Sequence, residues 1–209
     1  LAAEDDNFAN HHGVDPGSLL RAAAQILKTG RIQTGGSTIT MQVAKNFFLS
    51  SERSFSRKAN EILLALQIER ELTKDEILEL YINKIYLGNR AYGIEAASQV
   101  YYGKSINEIS LAEMAMIAGL PKAPSRFNPI ANPARSMERR NWILGRMLKL
   151  GRISEQAYQD AIAEPLTARL HISAPDIYAP YIAEMARAEM VGKFGGQAYT
   201  DGYSVTTTV

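Results

Sequence analysis

Three stretches of this chain place ionisable and polar groups at spacings that suit acid–base and anion chemistry. Residues 4–15 read EDDNFANHHGVD, with Glu4, Asp5 and Asp6 ahead of an aromatic, Phe8, and two histidines, His11 and His12. Acids in front of a helix suit the positive end of its macrodipole. Residues 35–49 read GGSTITMQVAKNFFL, and Thr38, Gln42, Lys45 and Asn46 fall at i, i+4, i+7 and i+8, on one helical face. Ile39, Val43 and Phe47, with Phe48, make a separate apolar face. The Gly-Gly-Ser entry leaves backbone N–H groups free at the helix start, a natural anion site. The plainer alternative is a solvated polar surface. A phosphate loop of the Walker type is excluded, because Gly36 stands where that motif requires lysine. Residues 57–71 read RKANEILLALQIERE, and Arg57, Glu61, Ala65 and Glu69 repeat every four positions. Such an exposed pair stabilises a helix by only about 0.3–0.5 kcal/mol. Glu61 is flanked by Ile62, Leu63, Leu64 and Leu66, and a carboxylate beside an apolar wall with an arginine in reach can be a working acid or a charge anchor.

The elements that must carry these groups are helical almost throughout. Asp15-Pro16 offers a cap and a first-turn proline for a helix to Lys28, with Gly30 past its end. Gly35-Gly36-Ser37 opens a second helix to about Phe48, and a third spans about Ser56 to Glu71. Thr73 with Glu76 forms a capping box for a fourth helix ending near Gly88. A fifth covers Tyr92 to Tyr102, a sixth starts at Ser110 with Glu113 and stops at Gly119, and a seventh runs from Asn132-Pro133 to Gly151. Ser154 to Ala163 and Pro180 to Val191 complete the set. No alternation of strands and helices suggests a βαβ unit. The tail TDGYSVTTTV is β-branched and turn-flanked and reads as a first strand. In the fourth helix Leu78, Tyr81, Ile82 and Ile85 share a core face, with Glu79 and Asn83 as buried polar braces. Trp142 and Leu144 read as packing residues, and Arg139 and Arg140 as helix braces through salt bridges.

The 209 residues suit one domain, or one domain with a tail. Hydrophobic residues at 46% and charged residues at 22% are ordinary for a globular chain. A net charge of +1 argues against nucleic acid as a partner. Cysteine is absent, so neither disulfides nor thiolate metal sites exist. No run of about 18 apolar residues appears, and an anchor or signal upstream of Leu1 is an expectation the sequence leaves outside this chain. Lys28-Thr29-Gly30 imitates a motif of β-lactam-reactive enzymes, but no lysine has serine three residues before it, so that site is incomplete.

Taken in order, the motifs resemble the family 51 peptidoglycan glycosyltransferase domain of class A penicillin-binding proteins. EDDNFANHHGVD is similar to the family's first motif, GGSTITMQVAKN to its second with Met41 in place of a glutamine, RKANEILLALQIE to its third, KDEILELYINKIYLG to its fourth and RRNWILGRM to its fifth. The resemblance covers roughly residues 1–165. It implies an all-α, lysozyme-like helical lobe with a smaller membrane-proximal jaw lobe at roughly residues 14–34. Residues 166–209 would then be a linker and first strand leading toward a transpeptidase domain in cis.

The resemblance also implies a reaction: polymerisation of lipid II into a growing glycan chain, with inversion and release of undecaprenyl pyrophosphate. Glu4 is then the general base. Glu61 is the second essential glutamate, which orients Arg57, assists the leaving group or holds a divalent cation such as Mg or Mn. Lys45 and Arg57 would neutralise the pyrophosphate. Asp5, Phe8, Ser37, Thr38, Gln42 and Asn46 are the further substrate-contacting candidates, with His11 hydrogen-bonding nearby, whereas Asp6 reads as a surface or helix-dipole residue and His12 and His171 as structural. Moenomycin-type phosphoglycolipids are the inhibitors such a site would bind. The expected place is the outer face of the bacterial cytoplasmic membrane, with a cationic, apolar-sided helix at residues 16–34 on the lipid surface. The competing readings are a lysozyme-like or lytic glycan-cleaving enzyme and a non-catalytic membrane-bound scaffold.

Overall fold

The computed structural model describes residues 1–29, 36–49, 54–171, 179–199 and 202–207. Among them there is no strand beyond two isolated bridges, His12 to Val14 and Tyr86 to Tyr92, which bears out the all-α class. The chain divides into two compact units, Leu1–His171 and Ile172–Val209. The first extends past the boundary expected near residue 165, because Arg169 and His171 donate backbone hydrogen bonds to the carbonyls of Tyr101 and Val100 and so tie this segment to the fifth helix.

The helix starts follow local capping chemistry. Helix α1 (Pro16–Thr29) begins after Asp15, whose carboxylate accepts from Gly17 N at 3.0 Å and from the Ser18 hydroxyl. In α2 (Ile39–Phe48) the Thr38 side chain accepts from Met41 N, and in α3 (Phe55–Glu71) Ser54 accepts from Arg57 N. Helices α4 (Lys74–Lys84) and α6 (Leu111–Ile117) carry full capping boxes, Thr73 with Glu76 and Ser110 with Glu113. Each such cap contributes about 1 kcal/mol. Helix α5 (Ile94–Tyr102) follows Gly93, α7 (Pro133–Lys149) has proline in its first turn, and α8 (Glu155–Ala163) is capped by Ser154. Helix α4 stops at Lys84 rather than near Gly88. Beyond it the chain turns back, with Gly93 N bonded to Ile85 O and Leu87 N to Ala91 O.

The main core is built where α2 packs against α3 and α4. Ile39, Val43, Ile77, Tyr81, Ala97, Tyr101 and Leu120 are all buried there. Each large apolar side chain buried this way contributes about 1.5–3 kcal/mol. A smaller cluster of Ala112, Ala115, Ile143, Leu144 and Ala161 joins α6, α7 and α8. Arg140, 1% exposed, braces α7 to the end of α8 by donating to the carbonyls of Glu164 at 2.7 Å and Ile162 at 3.2 Å, through hydrogen bonds rather than the expected salt bridge.

Several sequence expectations are corrected. Phe47 and Phe48 are exposed, so the buried face of α2 is Ile39 and Val43 with Met41 and Ala44. Met41 is fully buried, which explains how an apolar side chain stands there. Glu79 and Asn83 lie exposed, because the inward face of α4 passes through Ile77 and Tyr81. Trp142 is 51% exposed, whereas Leu144 is buried as expected.

None of the described side chains of α1 is buried, and Leu20 is 72% exposed. Of the expected apolar side of that helix, the Ala23, Ile26 and Leu27 side chains lie outside the described residues, as do residues 30–34 of the expected jaw. No described helix is long and apolar enough to cross a membrane. In the second unit α9 (Pro180–Phe194) runs into a 3₁₀ helix, Gly195–Tyr199, and Phe194 stacks on Tyr203 at 4.5 Å. The expected strand falls partly on residues 200–201 and 208–209, outside the described set, and residues 202–207 form no strand.

Gly13 sets how closely the N-terminal loop approaches α3. Its φ is +84°, and a Cβ there would lie 2.7 Å from the Ala65 carbonyl oxygen, a backbone atom that cannot yield. Gly13→Ala is therefore expected to destabilise the first unit by about 1–3 kcal/mol, read as a lowered melting temperature.

Candidate active site

The three acids of the N-terminal loop have three separate tasks. Asp5 is buried, and its Oδ2 accepts from the backbone N–H of Ile39 at 3.0 Å and faces His11 Nε2 at 2.9 Å. Ile39 opens α2, so its N–H is one of the donors a helix start leaves without an intrahelical partner. The helix-terminus reading of the acid run thus applies to Asp5, but at α2, far along the chain from α1. Asp6 pairs with Arg146 of α7. Glu4 keeps part of its side chain open to solvent, 19% exposed.

Glu4 meets groups from three further elements. Arg139 of α7 places Nη2 3.4 Å from Glu4 Oε1, Gln42 of α2 hydrogen-bonds the carboxylate, and the charge of Lys122 reaches it from the loop after α6. Burial raises the carboxyl above the usual carboxylate range and outweighs the opposing pull of Arg139, Gln42 and Lys122. Tyr81 lies behind it. Its hydroxyl is buried without a hydrogen-bond partner, and burial together with the charges of Glu4 and Asp5 pushes it far above the usual phenol range. A desolvated carboxylate held by an arginine and an amide is suited to take a proton.

A second cluster stands where the start of α2 meets α3. Glu61 is 3% exposed. The stripe predicted from Arg57, Glu61, Ala65 and Glu69 is the inward face of α3, with Ala65 fully buried and the Glu69 side chain 5% exposed. Lys58 Nζ reaches Glu61 Oε1 at 2.5 Å and the Ser37 hydroxyl at 2.8 Å, and Arg57 Nη1 lies 3.6 Å from Glu61 Oε2. The Arg57 Nε–H is buried with no acceptor, a donor of the kind that a bound anion satisfies. Both carboxylate oxygens of Glu61 thus face cations, and no group of three His, Cys, Asp or Glu side chains that could hold a metal exists among the described residues. This donor set does not fit a divalent cation. It fits an anion holding two cations in place.

Helix α2 joins the two clusters. Gln42, Lys45 and Asn46 are half-buried along it, and neither Lys45 nor Asn46 is bonded to a described residue. Among the described residues Lys45 is therefore a cation without a countercharge. The other expected contacts sit behind the cleft. Thr38 is 2% exposed, donates to Gly13 O at 2.6 Å and accepts from Met41 N. Phe8 is 3% exposed, inside the core, with Lys74 Nζ 4.4 Å from its ring centroid. Asp5, Phe8 and Thr38 are largely buried and bonded within the fold, which leaves little of their surface open to a substrate.

Two residues at the site were not assigned to it from the sequence. Lys58 lies off the four-residue stripe, although its spacing of three before Glu61 is a helical pairing distance. Arg139 is 135 positions from Glu4, and no local pattern predicts that meeting.

Residues 1–148 match the family described as transglycosylase. Penicillin-binding protein 1A of Pseudomonas aeruginosa is 77% identical over the whole chain, which covers 25% of that relative, and penicillin-binding protein 1A of Escherichia coli K12 is 52% identical with the same coverage. The chain thus spans about a quarter of the length of the curated relatives it matches. A crystal structure of penicillin-binding protein 1A from Haemophilus influenzae superposes with a TM-score of 0.54 at 45% identity, covering 82% of this chain and 22% of that one.

Asp5→Ala would leave the Ile39 N–H and His11 buried without their acceptor. The expected cost is about 1–3 kcal/mol of stability for each stranded group that water does not reach. Thermal unfolding checks it.

Proposed function

Because the chain belongs to the transglycosylase family, we propose that it polymerises lipid II into glycan strands at the outer face of the bacterial cytoplasmic membrane. The observation that carries this reading is that α2 meets both a desolvated carboxylate, Glu4 of the N-terminal loop, and a cation set, Lys45 on α2 itself with Arg57 and Lys58 on α3. Glu4 takes the proton from the 4-hydroxyl of the acceptor lipid II. The hydroxyl oxygen forms a bond to the anomeric carbon of the growing chain as the bond from that carbon to the pyrophosphate oxygen breaks, with inversion. The electron pair leaves on undecaprenyl pyrophosphate, whose charge Lys45, Arg57 and Lys58 neutralise. Glu61 keeps Arg57 and Lys58 side by side, and Ser37 fixes the lysine. Gln42 and Asn46 supply neutral hydrogen bonds to sugar or phosphate from the same helix face.

Helix α1, none of whose described side chains is buried and which carries Leu19 and Leu20 beside Arg21 and Lys28, suits an anionic lipid surface, so the substrate's lipid tail stays in the bilayer. Moenomycin-type phosphoglycolipids would bind through the same cations. The length of the relatives is consistent with a transpeptidase domain elsewhere in the same polypeptide.

Incubation with lipid II and with finished glycan tests the reading against its rivals. Polymer from lipid II supports it, shortening of finished glycan indicates a cleaving enzyme, and inertness toward both indicates a scaffold. Glu4→Gln keeps the shape and removes the base, so the polymerisation rate should fall at least about 100-fold with an unchanged melting temperature. Lys45→Met should weaken phosphoglycolipid binding while leaving affinity for soluble, phosphate-free sugars unchanged. Equal loss for both ligands, seen in a binding titration, would count against a phosphate contact.

A further inference from the structure

The way Arg139 is held distinguishes it from a brace. Its guanidinium is 7% exposed, although it lies beside a Trp142 that is half exposed. The cation sits 4.5 Å from the Trp142 ring centroid and 5.8 Å from that of Phe127. Its Nη2 donates to Ala3 O at 3.3 Å and reaches Glu4 Oε1 at 3.4 Å. Its stem crosses Gly119 so closely that a Cβ there would lie 3.0 Å from Arg139 Cγ. Two rings, a carbonyl and a glycine thus fix the fork against the loop that carries Glu4. Arginine in such a stack keeps its charge and gives up little further freedom when it binds a carboxylate.

We infer that Arg139, capped by the Trp142 ring, is the positioning residue that holds the Glu4 carboxylate as a charged, oriented base. The inference rests on the assignment of Glu4 as the base made above. Apart from Arg139, the ionisable side chains facing Glu4 are Asp5, Lys122 and the Tyr81 hydroxyl. Asp5 and a charged tyrosinate would both oppose ionisation, and Lys122 is exposed, so its field is screened by water. Arg139 is the buried cation that counters the desolvation of Glu4, with the hydrogen bond from Gln42 as a weaker aid. Trp142 keeps water from the guanidinium, which strengthens its effect.

The sign follows directly. A base works when deprotonated, so activity rises with pH through the Glu4 titration. Removing the cation raises that titration, and the acidic limb of kcat moves to higher pH. In the intact protein, Arg139→Gln should move the limb up by about one pH unit, with recovery toward the wild-type rate at alkaline pH. Arg139→Lys and Trp142→Ala should move it in the same direction by less, with KM for lipid II little changed. An Arg139→Gln variant that loses the same factor at every pH would overturn the inference in favour of a brace. A rise in KM with an unmoved limb would overturn it in favour of a substrate contact. If Arg139→Gln does not fold by circular dichroism, Arg139→Lys and Trp142→Ala decide, and a limb unmoved in both overturns it. Failure of the base assignment looks different: Glu4→Gln would then retain both the rate and the acidic limb of the wild type.

Discussion

The carboxylate of Asp5 fixes two elements at one point. It accepts from the first N–H of α2 and faces the imidazole of His11, all within the buried interior. Without that junction the N-terminal loop would have no fixed register against α2, and Glu4, one residue earlier, would have no defined position relative to Gln42. The hydroxyl of Thr38, one residue before Ile39, makes a second connection by bonding Gly13 O, and Gly13 in turn lies against the backbone of α3 at Ala65. Loop, α2 and α3 are thereby locked together by groups that never need to touch a substrate. A buried polar network of this kind is stabilising only when its members find partners, and here most of them do.

The charges are arranged so that like signs are kept apart. The acid–base side has one available carboxylate, Glu4, because Asp5 and Asp6 are already engaged by Ile39 and His11 and by Arg146. The anion side has three cations, two of them held by the single carboxylate of Glu61 and one, Lys45, without a partner among the described residues. Glu61 therefore works as an anchor for cations, and a third, metallic cation beside Arg57 and Lys58 would meet repulsion. Desolvation acts in opposite senses on the two sides. It makes Glu4 more basic, and it strengthens the attraction of the cation cluster for a phosphate.

Much of the fold was legible because helix boundaries are local. Thr73 with Glu76 and Ser110 with Glu113 bond as their spacing predicts, and prolines 16, 133 and 180 each open a helix. The exposed side of a helix was less legible, because periodicity identifies a stripe without saying what covers it. The stripe from Arg57 to Glu69 proved to be the inward face of α3, and the apolar Phe47 and Phe48 proved to face outward. At the site, motif order pointed to Glu4, Lys45, Arg57 and Glu61. The sequence could not separate residues that line the cleft from those that hold it, because a buried Thr38 and an exposed one read alike. Nor could it bring Arg139 to Glu4, a meeting made by the packing of α7 against the N-terminal loop.

The most direct test of the account is a pH titration of the Glu4 side-chain carboxyl, followed by 13C NMR of glutamate-labelled protein and assigned by the Glu4→Gln variant. The account predicts that this carboxyl titrates above the usual carboxylate range and at the pH where polymerisation reaches half its maximal rate. Titration within the usual range, or at a pH unrelated to the activity profile, would contradict it.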